Sequence, residues 1–161
     1  MEPQDKGTFR DFLSPDERIK WAWLAGIIDG EGSIRIEAPH RKDRPTKRFR
    51  LHLTIGMTHP ATIEQIQKIA HCGSCYKRIH LNPRHKTCLT WRATDKQAAG
   101  VLRLCFPLLV TKREQARIAL QFIELHTLST QGRRLPPSIV ARYEELAGAL
   151  RALNRKGPHL A

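Results

Sequence analysis

Acidic residues are scarce in this chain of 161 residues, which has 15 Asp and Glu against 28 Lys and Arg and a formal net charge of +13 at pH 7. So basic a protein favours a polyanionic partner, because its field attracts phosphate groups and binding releases their counterions. Long apolar runs are also missing, since none reaches the ~18 residues that a membrane-spanning helix needs. The basic residues do not form one amphipathic helix suited to a membrane surface. We therefore predict nucleic acid, and no membrane, as the partner.

Cysteine is rare as well, with four residues in the chain. Cys72 and Cys75 have the C-x-x-C spacing of zinc ligands, but no second such pair and no paired-His element follows at zinc-finger spacing. The pattern favours reduced cysteines, as in a cytosolic protein. A zinc site that includes neighbouring histidines is the alternative; the candidates are His71, His80 and His85.

The length of the chain and its 40% apolar content predict a single domain with its own hydrophobic core. We place this domain at residues 14–153, between an N-terminal extension (1–13) and a basic tail (154–161). The first twelve residues hold three acids and no apolar segment, which is typical of neither a signal peptide nor a transit peptide. The sequence therefore predicts no targeting signal.

Hydrophobic periodicity predicts helices alternating with hairpins. The predicted helices begin at about residues 14, 60, 95, 111 and 138, and the predicted strands span 33–38, 47–57, 74–80 and 87–94. Strand 47–57 alternates apolar side chains with basic or polar ones, so one sheet face lies on a core and the other faces a charged partner. The layout is an α+β fold, with two hairpins in one antiparallel sheet covered by helices.

Residues 24–32 read Leu-Ala-Gly-Ile-Ile-Asp-Gly-Glu-Gly, an apolar helical stretch that ends in two acids and two glycines. The small residues Ala25, Gly26 and Gly30 allow a second helix to come close, and Glu31 lies where the helix stops. This stretch closely resembles the signature of the LAGLIDADG homing endonucleases, and residues 33–36 resemble the first DNA-reading strand of that family. The resemblance covers about residues 15–127. It implies an α-β-β-α-β-β-α core whose antiparallel sheet forms a DNA-binding saddle, with additional C-terminal helices.

The resemblance also implies a homodimer, because two motif helices pack side by side in this family and the chain has one motif. Residues 146–150 look similar to the start of the motif, but no Asp-Gly-Glu follows them. A twofold dimer suits double-stranded DNA with a pseudo-palindromic sequence. The interface residues that we predict are Trp23, Ala25, Gly26, Asp29 and Gly30.

By the same resemblance, each motif helix brings its Glu31 carboxylate and Gly30 carbonyl to the scissile phosphates, where they hold a divalent metal. Mg²⁺ is the expected ion, and Mn²⁺ or Ca²⁺ suits the same oxygen ligands. The stretch 107–116 resembles the family's segment with an active-site lysine, which makes Lys112 a catalytic candidate. His59 falls where many members place a residue that orders active-site water. The alternatives are a solvated surface lysine and a histidine that only ends its strand.

Specific DNA contacts are expected from the outward positions of the strands. In the major groove, arginine suits guanine edges and polar side chains suit adenine or cytosine edges. The candidates are Arg35, Glu37, Arg48, Arg50, His52 and Thr54 in the first hairpin, and Tyr76, Arg78, His80, Thr90 and Arg92 in the second. Thr90 and Arg92 face outward if Leu89 and Trp91 lie in the core, as the apolar character of these two residues indicates. An alignment with the family without gaps gives a strand register that differs by one residue, and we prefer the register that buries Trp91.

A cluster of basic residues in the loop of the first hairpin is expected to clamp phosphates, which positions DNA but does not specify its sequence. Its members are Arg41, Lys42, Arg44 and Lys47. The alternative is a solvated loop tip.

The sequence thus predicts a metal-dependent, homodimeric, site-specific DNA endonuclease. The alternatives are an RNA-binding maturase that assists splicing of its intron and a non-catalytic DNA-binding regulator on the same fold. The presence of both Glu31 and Lys112 favours the nuclease. We expect a cytoplasmic or nucleoid location in a bacterium or phage host, or an organelle that encodes its own intron.

Overall fold

The computed structural model describes residues 13–38, 48–78, 86–129 and 135–155. In chain order, the elements are α1 (Pro15–Glu31), β1 (Gly32–Glu37), β2 (Arg50–Met57), α2 (Pro60–Ala70), β3 (Ser74–Arg78), β4 (Cys88–Thr94), α3 (Asp95–Cys105), a 3₁₀ turn (Phe106–Leu108), α4 (Arg113–Ser129) and α5 (Pro137–Asn154). The predicted α+β order of helices and hairpins is confirmed. Within the described residues, no helix is both long enough and apolar enough to cross a membrane.

Helix α1 begins at a capping box. The Glu17 carboxylate accepts a hydrogen bond from the backbone N–H of Ser14 at 2.8 Å, and the Ser14 hydroxyl accepts one from the N–H of Glu17 at 3.3 Å. The helix ends at Gly32, where a Cβ atom would lie 2.5 Å from the Ile28 carbonyl oxygen. Gly30 lies in the last turn of the helix, and Gly32 is the glycine that ends it. The chain passes directly from α1 into β1, which places Glu31 at the junction.

The four strands form one antiparallel sheet in the order β1-β2-β4-β3. One face lies against the core: Leu51, Leu53, Ile55 and Trp91 on the central strands β2 and β4 are all 0% exposed. The burial of Trp91 confirms the register that we predicted from the apolar pattern, and the ungapped alignment is wrong. A slip of one residue would have exposed the indole ring.

The indole of Trp91 also explains the glycine that follows α2. Its Nε1 donates a hydrogen bond to the Cys72 carbonyl at 2.9 Å, and a Cβ atom on Gly73 would lie 2.6 Å from that nitrogen. Gly73 has φ +87°, a conformation that costs glycine little. The turn into β3 thus depends on close contact between backbone and indole.

Helix α5 packs on the same core. The buried ring of Tyr143 makes edge contacts with Phe49 and Phe122 at centroid distances of 5.3 and 5.0 Å. At its far end, the Asn154 side chain donates a hydrogen bond to the Ile34 carbonyl at 2.8 Å, which ties α5 to the edge strand β1. The core thereby covers one sheet face and leaves the other exposed.

His126 on α4 makes the stability of this core depend on pH. Its ring stacks on Phe122 at a centroid distance of 5.4 Å, and burial lowers its pKa below the usual 6.5. The native state therefore binds fewer protons than the unfolded state when the pH lies between the lowered pKa and 6.5. We expect the free energy of unfolding to be largest above pH 6.5 and to decrease as the pH falls through that window.

Urea unfolding of the wild type and of His126→Phe at a series of pH values between 5 and 7.5 measures this effect. The phenyl ring preserves the stacking and cannot be protonated, so the variant should lose less stability over the same range. Equal losses in the two proteins would show that His126 contributes nothing to the pH dependence.

Candidate nucleic-acid interface and active site

The exposed face of the sheet forms an open groove that reaches the end of α1. Glu31 lines it together with side chains from all four strands. The predicted DNA-contacting residues that line this groove are Arg35, Glu37, His52, Thr54, Tyr76, Arg78, Thr90 and Arg92. The structure therefore brings these candidates and the candidate metal ligand onto one continuous surface.

Arg50 differs from this expectation, although strand alternation places it on the outward side. Its guanidinium pairs with Asp95 at the start of α3, with Nε and a terminal nitrogen 2.9 and 2.8 Å from one carboxylate oxygen. The other oxygen accepts the backbone N–H of Leu51 at 2.9 Å. This ion pair joins β2 to α3 and compensates part of the positive charge of Arg50, whose side chain is 41% exposed. Its contact with DNA stays a prediction.

The other predicted contacts outside the groove fall into two groups. Arg48 is exposed just before β2 but does not line the groove. The remaining candidates lie outside the described residues: Arg41, Lys42, Arg44, Lys47 and His80.

Two groove arginines are held in place by neighbouring side chains. Arg92 donates to the Tyr76 hydroxyl at 2.8 Å and lies over its ring at 5.0 Å. Arg35 donates through Nε to the Ser33 hydroxyl at 3.0 Å, and one of its terminal nitrogens lies 3.8 Å from the Glu37 carboxylate. Such contacts reduce the conformational entropy that a long side chain loses on binding. Ser33 was not among the sequence candidates, although its two-residue spacing from Arg35 on one strand face was a usable signal.

His52 lies opposite Arg35 on the neighbouring strand. Its pKa is lowered, chiefly by burial, although the negative charge of Glu37 acts in the opposite direction. The ring is therefore mostly neutral at pH 7. A neutral imidazole has one donor and one acceptor, so it can contact either type of group on a base edge.

The acidic end of α1 is fixed by the segment that precedes α4. The Asp29 carboxylate accepts hydrogen bonds from the backbone N–H groups of Val110 and Lys112 at 2.8 and 2.9 Å. The Lys112 ammonium donates to the Asp29 carbonyl at 2.6 Å. Lys112 is thus brought to the same helix end as Glu31, as its candidate role requires. Helix α4 begins at Arg113, two residues after the predicted start at about residue 111.

His59 occupies the N-cap position of α2, two residues after β2 ends. Its side chain makes no capping bond, and its Nδ1 lies 2.9 Å from the Thr62 hydroxyl oxygen. Because Gly32 pairs with Ile55 in this antiparallel ladder, the last residues of β2 lie beside the first residues of β1, next to the end of α1. His59 therefore follows β2 at the same end of the sheet as Glu31, but it does not line the groove. Its catalytic role stays a prediction.

One face of α1 points away from the core. Ile19 and Trp23 are 68% and 38% exposed, and a Cβ atom on Gly26 or Gly30 would meet nothing within 4 Å. These four positions follow helical spacing and form a single stripe, which we call the α1 stripe. Ile19 was not among the predicted interface residues, although it lies on the same stripe as Trp23, Gly26 and Gly30.

The predicted interface is wrong for Ala25 and needs revision for Asp29. Ala25 is 1% exposed and packs in the core of its own subunit, on the opposite side of α1 from the stripe. The Asp29 carboxylate is occupied by the segment before α4. Trp23, Gly26 and Gly30 are the predicted interface residues that stay available.

The oxygen donors at the end of α1 suit a hard divalent cation, since Glu31 offers an exposed carboxylate and Gly30 an adjacent carbonyl. The described residues contain no group of three or more His, Cys, Asp and Glu that could hold a metal ion. A site built on Glu31 therefore requires donors beyond the side chains of one chain's described part.

Comparison with known proteins gives a consistent result, although no protein-family model matches the chain. The DNA endonuclease I-CvuI of Chlorella vulgaris is 33% identical over 111 residues, which are 67% of this chain and 66% of that protein. The alignment thus spans about two thirds of this relative.

Solved structures resemble the chain over a greater length. The homing endonuclease I-CvuI in complex with the I-CreI target superposes with a TM-score of 0.73 at 26% identity, covering 91% of this chain and 88% of that one. The archaeal intron-encoded homing endonuclease I-Vdi141I complexed with DNA has the same fold, with a TM-score of 0.72 at 17% identity over 90% of each chain. Sequence, fold and the placement of the motif agree, and the chain belongs to the LAGLIDADG homing endonucleases, a family of site-specific DNA-cutting enzymes.

Proposed function

We propose that two copies of this protein cut one long, pseudo-palindromic DNA duplex with the help of divalent metal ions. The observation that carries the proposal is the groove, which joins Glu31 to base-reading side chains from all four strands on one exposed face. One groove reads one half-site, and a twofold axis at the α1 stripe generates the other.

The homodimer is supported by glycines that the subunit itself does not need. Gly26 and Gly30 have open space where a side chain would go, and glycine inside a helix costs about 0.8–1 kcal/mol relative to alanine. Close approach of a second helix offsets this cost, because glycine allows the backbones to touch. The exposed Ile19 and Trp23 on the same stripe provide apolar area for the contact.

The Glu31 carboxylates of the two copies, together with the Gly30 carbonyls, would hold the divalent metal ions. Structures of I-CvuI with DNA were solved in the presence of Mg or Ca, which supports divalent metal here. A bound divalent cation supplies an activated water and neutralises charge on the phosphate. Lys112 contributes a positive charge at the same helix end, where it stabilises the charge that develops on the phosphate oxygens.

Tyr76 is expected to determine how accurately Arg92 reads its base. The phenol oxygen accepts a hydrogen bond from Arg92, so Tyr76→Phe removes that bond and keeps the ring contact. Because a bidentate arginine–guanine contact discriminates by about 1–3 kcal/mol, we expect roughly tenfold weaker discrimination at one base pair of each half-site. Cleavage of single-base variants of the target measures this loss.

Lys77 lies next to Tyr76 but outside the groove lining, so Lys77→Gln is the matched control. It should weaken binding to all sequences alike, or not at all. If Tyr76→Phe keeps the wild-type base preference at every position of the target, the hydrogen bond between Arg92 and Tyr76 has no part in reading the DNA sequence.

Selection of cleaved molecules from a randomised duplex library tests the proposed function as a whole. Recovered sites should share a sequence whose two halves are related by a twofold axis. A consensus without such symmetry, or recovery of sequences no different from the starting library, would contradict a homodimeric, site-specific nuclease. Binding of structured RNA in preference to the selected duplex would favour the maturase instead.

The proposed activity also bears on where the protein works. A homing endonuclease acts on genomic DNA that lacks its own intron, so we expect it in the compartment that carries that intron.

A further inference from the structure

We infer that Asp29 is a positioning residue that holds Lys112 at the cleavage site; this inference rests on the proposed function. Three hydrogen bonds join it to a segment that is distant in sequence. Its carboxylate accepts the N–H groups of Val110 and Lys112, and its carbonyl accepts the Lys112 ammonium at 2.6 Å. We refer to these three bonds as the Asp29 clamp.

The clamp divides the two acids of the motif between two tasks. Asp29 has both carboxylate oxygens engaged with the chain itself, one with each N–H group. Glu31 instead lines the exposed groove. The sequence Asp-Gly-Glu thus places a structural acid and a metal-binding acid two residues apart at one helix end.

Packing alone does not fix the clamped segment. Leu109 is buried, but Val110 is 83% exposed, so the backbone turns into solvent just before Lys112. A carboxylate that accepts two N–H groups from residues two apart sets both the position and the direction of such a segment. The third bond then restricts a lysine side chain that would otherwise sample many rotamers.

The consequence is that the ammonium is in place before DNA and metal bind. A charge held in advance at the reacting phosphate stabilises the transition state without reorganisation. Asp29→Ala removes the two carboxylate bonds that set the direction of the segment and keeps the backbone carbonyl. It should therefore slow cleavage through a misplaced Lys112 and leave DNA affinity largely unchanged, since the groove is formed by other residues.

A double-mutant cycle on the selected target tests this directly. Single-turnover cleavage rates and DNA affinities are measured for Asp29→Ala, Lys112→Met and the double variant. We expect Asp29→Ala to be slowed by at least tenfold, with affinity within threefold of wild type. The double variant should be no slower than Lys112→Met. If the two losses multiply, Asp29 acts independently of Lys112 and the inference is wrong.

Two further proteins separate positioning from general damage. Asp29→Asn keeps one acceptor oxygen and should cleave at an intermediate rate. Glu114→Ala removes an exposed acid from the first turn of α4, where it pairs with Arg117, and should cleave like the wild type. The contrary result is that Asp29→Asn is as slow as Asp29→Ala and that Glu114→Ala is slow as well. Any disturbance near α4 would then slow cleavage, which contradicts a specific role of Asp29 in positioning Lys112.

Hydrogen exchange monitors the clamp without relying on activity. The amides of Val110 and Lys112 should exchange more rapidly in Asp29→Ala than in wild type, whereas amides in the central strand β2 should not change. Unchanged exchange at both amides would overturn the clamp itself. If instead exchange rises and the wild-type protein cuts no DNA, the clamp holds its segment but the proposed function fails, and with it the role for Lys112.

Discussion

Replacement of Glu31 by glutamine is expected to abolish cleavage and to preserve DNA binding. Glutamine keeps the shape of the side chain but removes the negative charge that holds a divalent cation. Since metal catalysis supplies several kcal/mol of transition-state stabilisation, we expect the cleavage rate to fall by about a thousandfold or more. Single-turnover cleavage and gel-shift affinity on the selected target measure the two effects separately.

Glu37 provides the control, because it is a second exposed carboxylate that lines the same groove at the other end of β1. Glu37→Gln should change affinity or sequence preference and retain cleavage. Persistent cleavage by Glu31→Gln would remove the acid from the catalytic mechanism. Loss of DNA binding along with cleavage would instead assign Glu31 to assembly of the groove.

The second large effect is expected at Gly26, where one substitution should act in opposite directions on the subunit and on the dimer. Leucine at this position meets open space in the subunit and improves helix propensity by about 0.8 kcal/mol. The same side chain would separate two helices that must touch, so we expect the dimer dissociation constant to rise by at least a hundredfold. Analytical ultracentrifugation and chemical unfolding provide the two readouts.

Gly100 is a matched control, since it also lies inside a helix and a Cβ atom added there would meet nothing within 4 Å. Gly100→Leu should stabilise the subunit to a similar extent and leave dimerisation intact. A Gly26→Leu protein that dimerises like the wild type would show that the α1 stripe is not the interface. Equal weakening by both substitutions would point to a nonspecific effect of added apolar area.

The elements and their order could be predicted because the local signals were strong. Ser14 and Glu17 define the start of α1, and alternation along β2 shows which face is buried. The choice of register in β4 followed from the burial that Trp91 requires. In each case, the deciding interaction is between residues close in sequence or depends on simple hydrophobicity.

The features that could not be predicted are mostly contacts between residues that are distant in sequence. Alternation along β2 predicts the outward position of Arg50, but its ion pair with Asp95 spans 45 positions and cannot be read from the strand. Ala25 was assigned to the interface because small residues suit close helix packing, and the same property suits the subunit's own core. The role of Asp29 likewise depends on a segment 81 to 83 positions away.

Two Glu31 carboxylates on one DNA duplex are the central requirement of this account. The most direct measurement is the mass of the complex with the selected target, determined by native mass spectrometry in Ca²⁺. We predict two protein chains per duplex, and a mixture with Glu31→Gln should give heterodimers that cannot cut both strands at the wild-type rate. One chain per duplex in a complex that cuts both strands after Mg²⁺ is added would contradict the account.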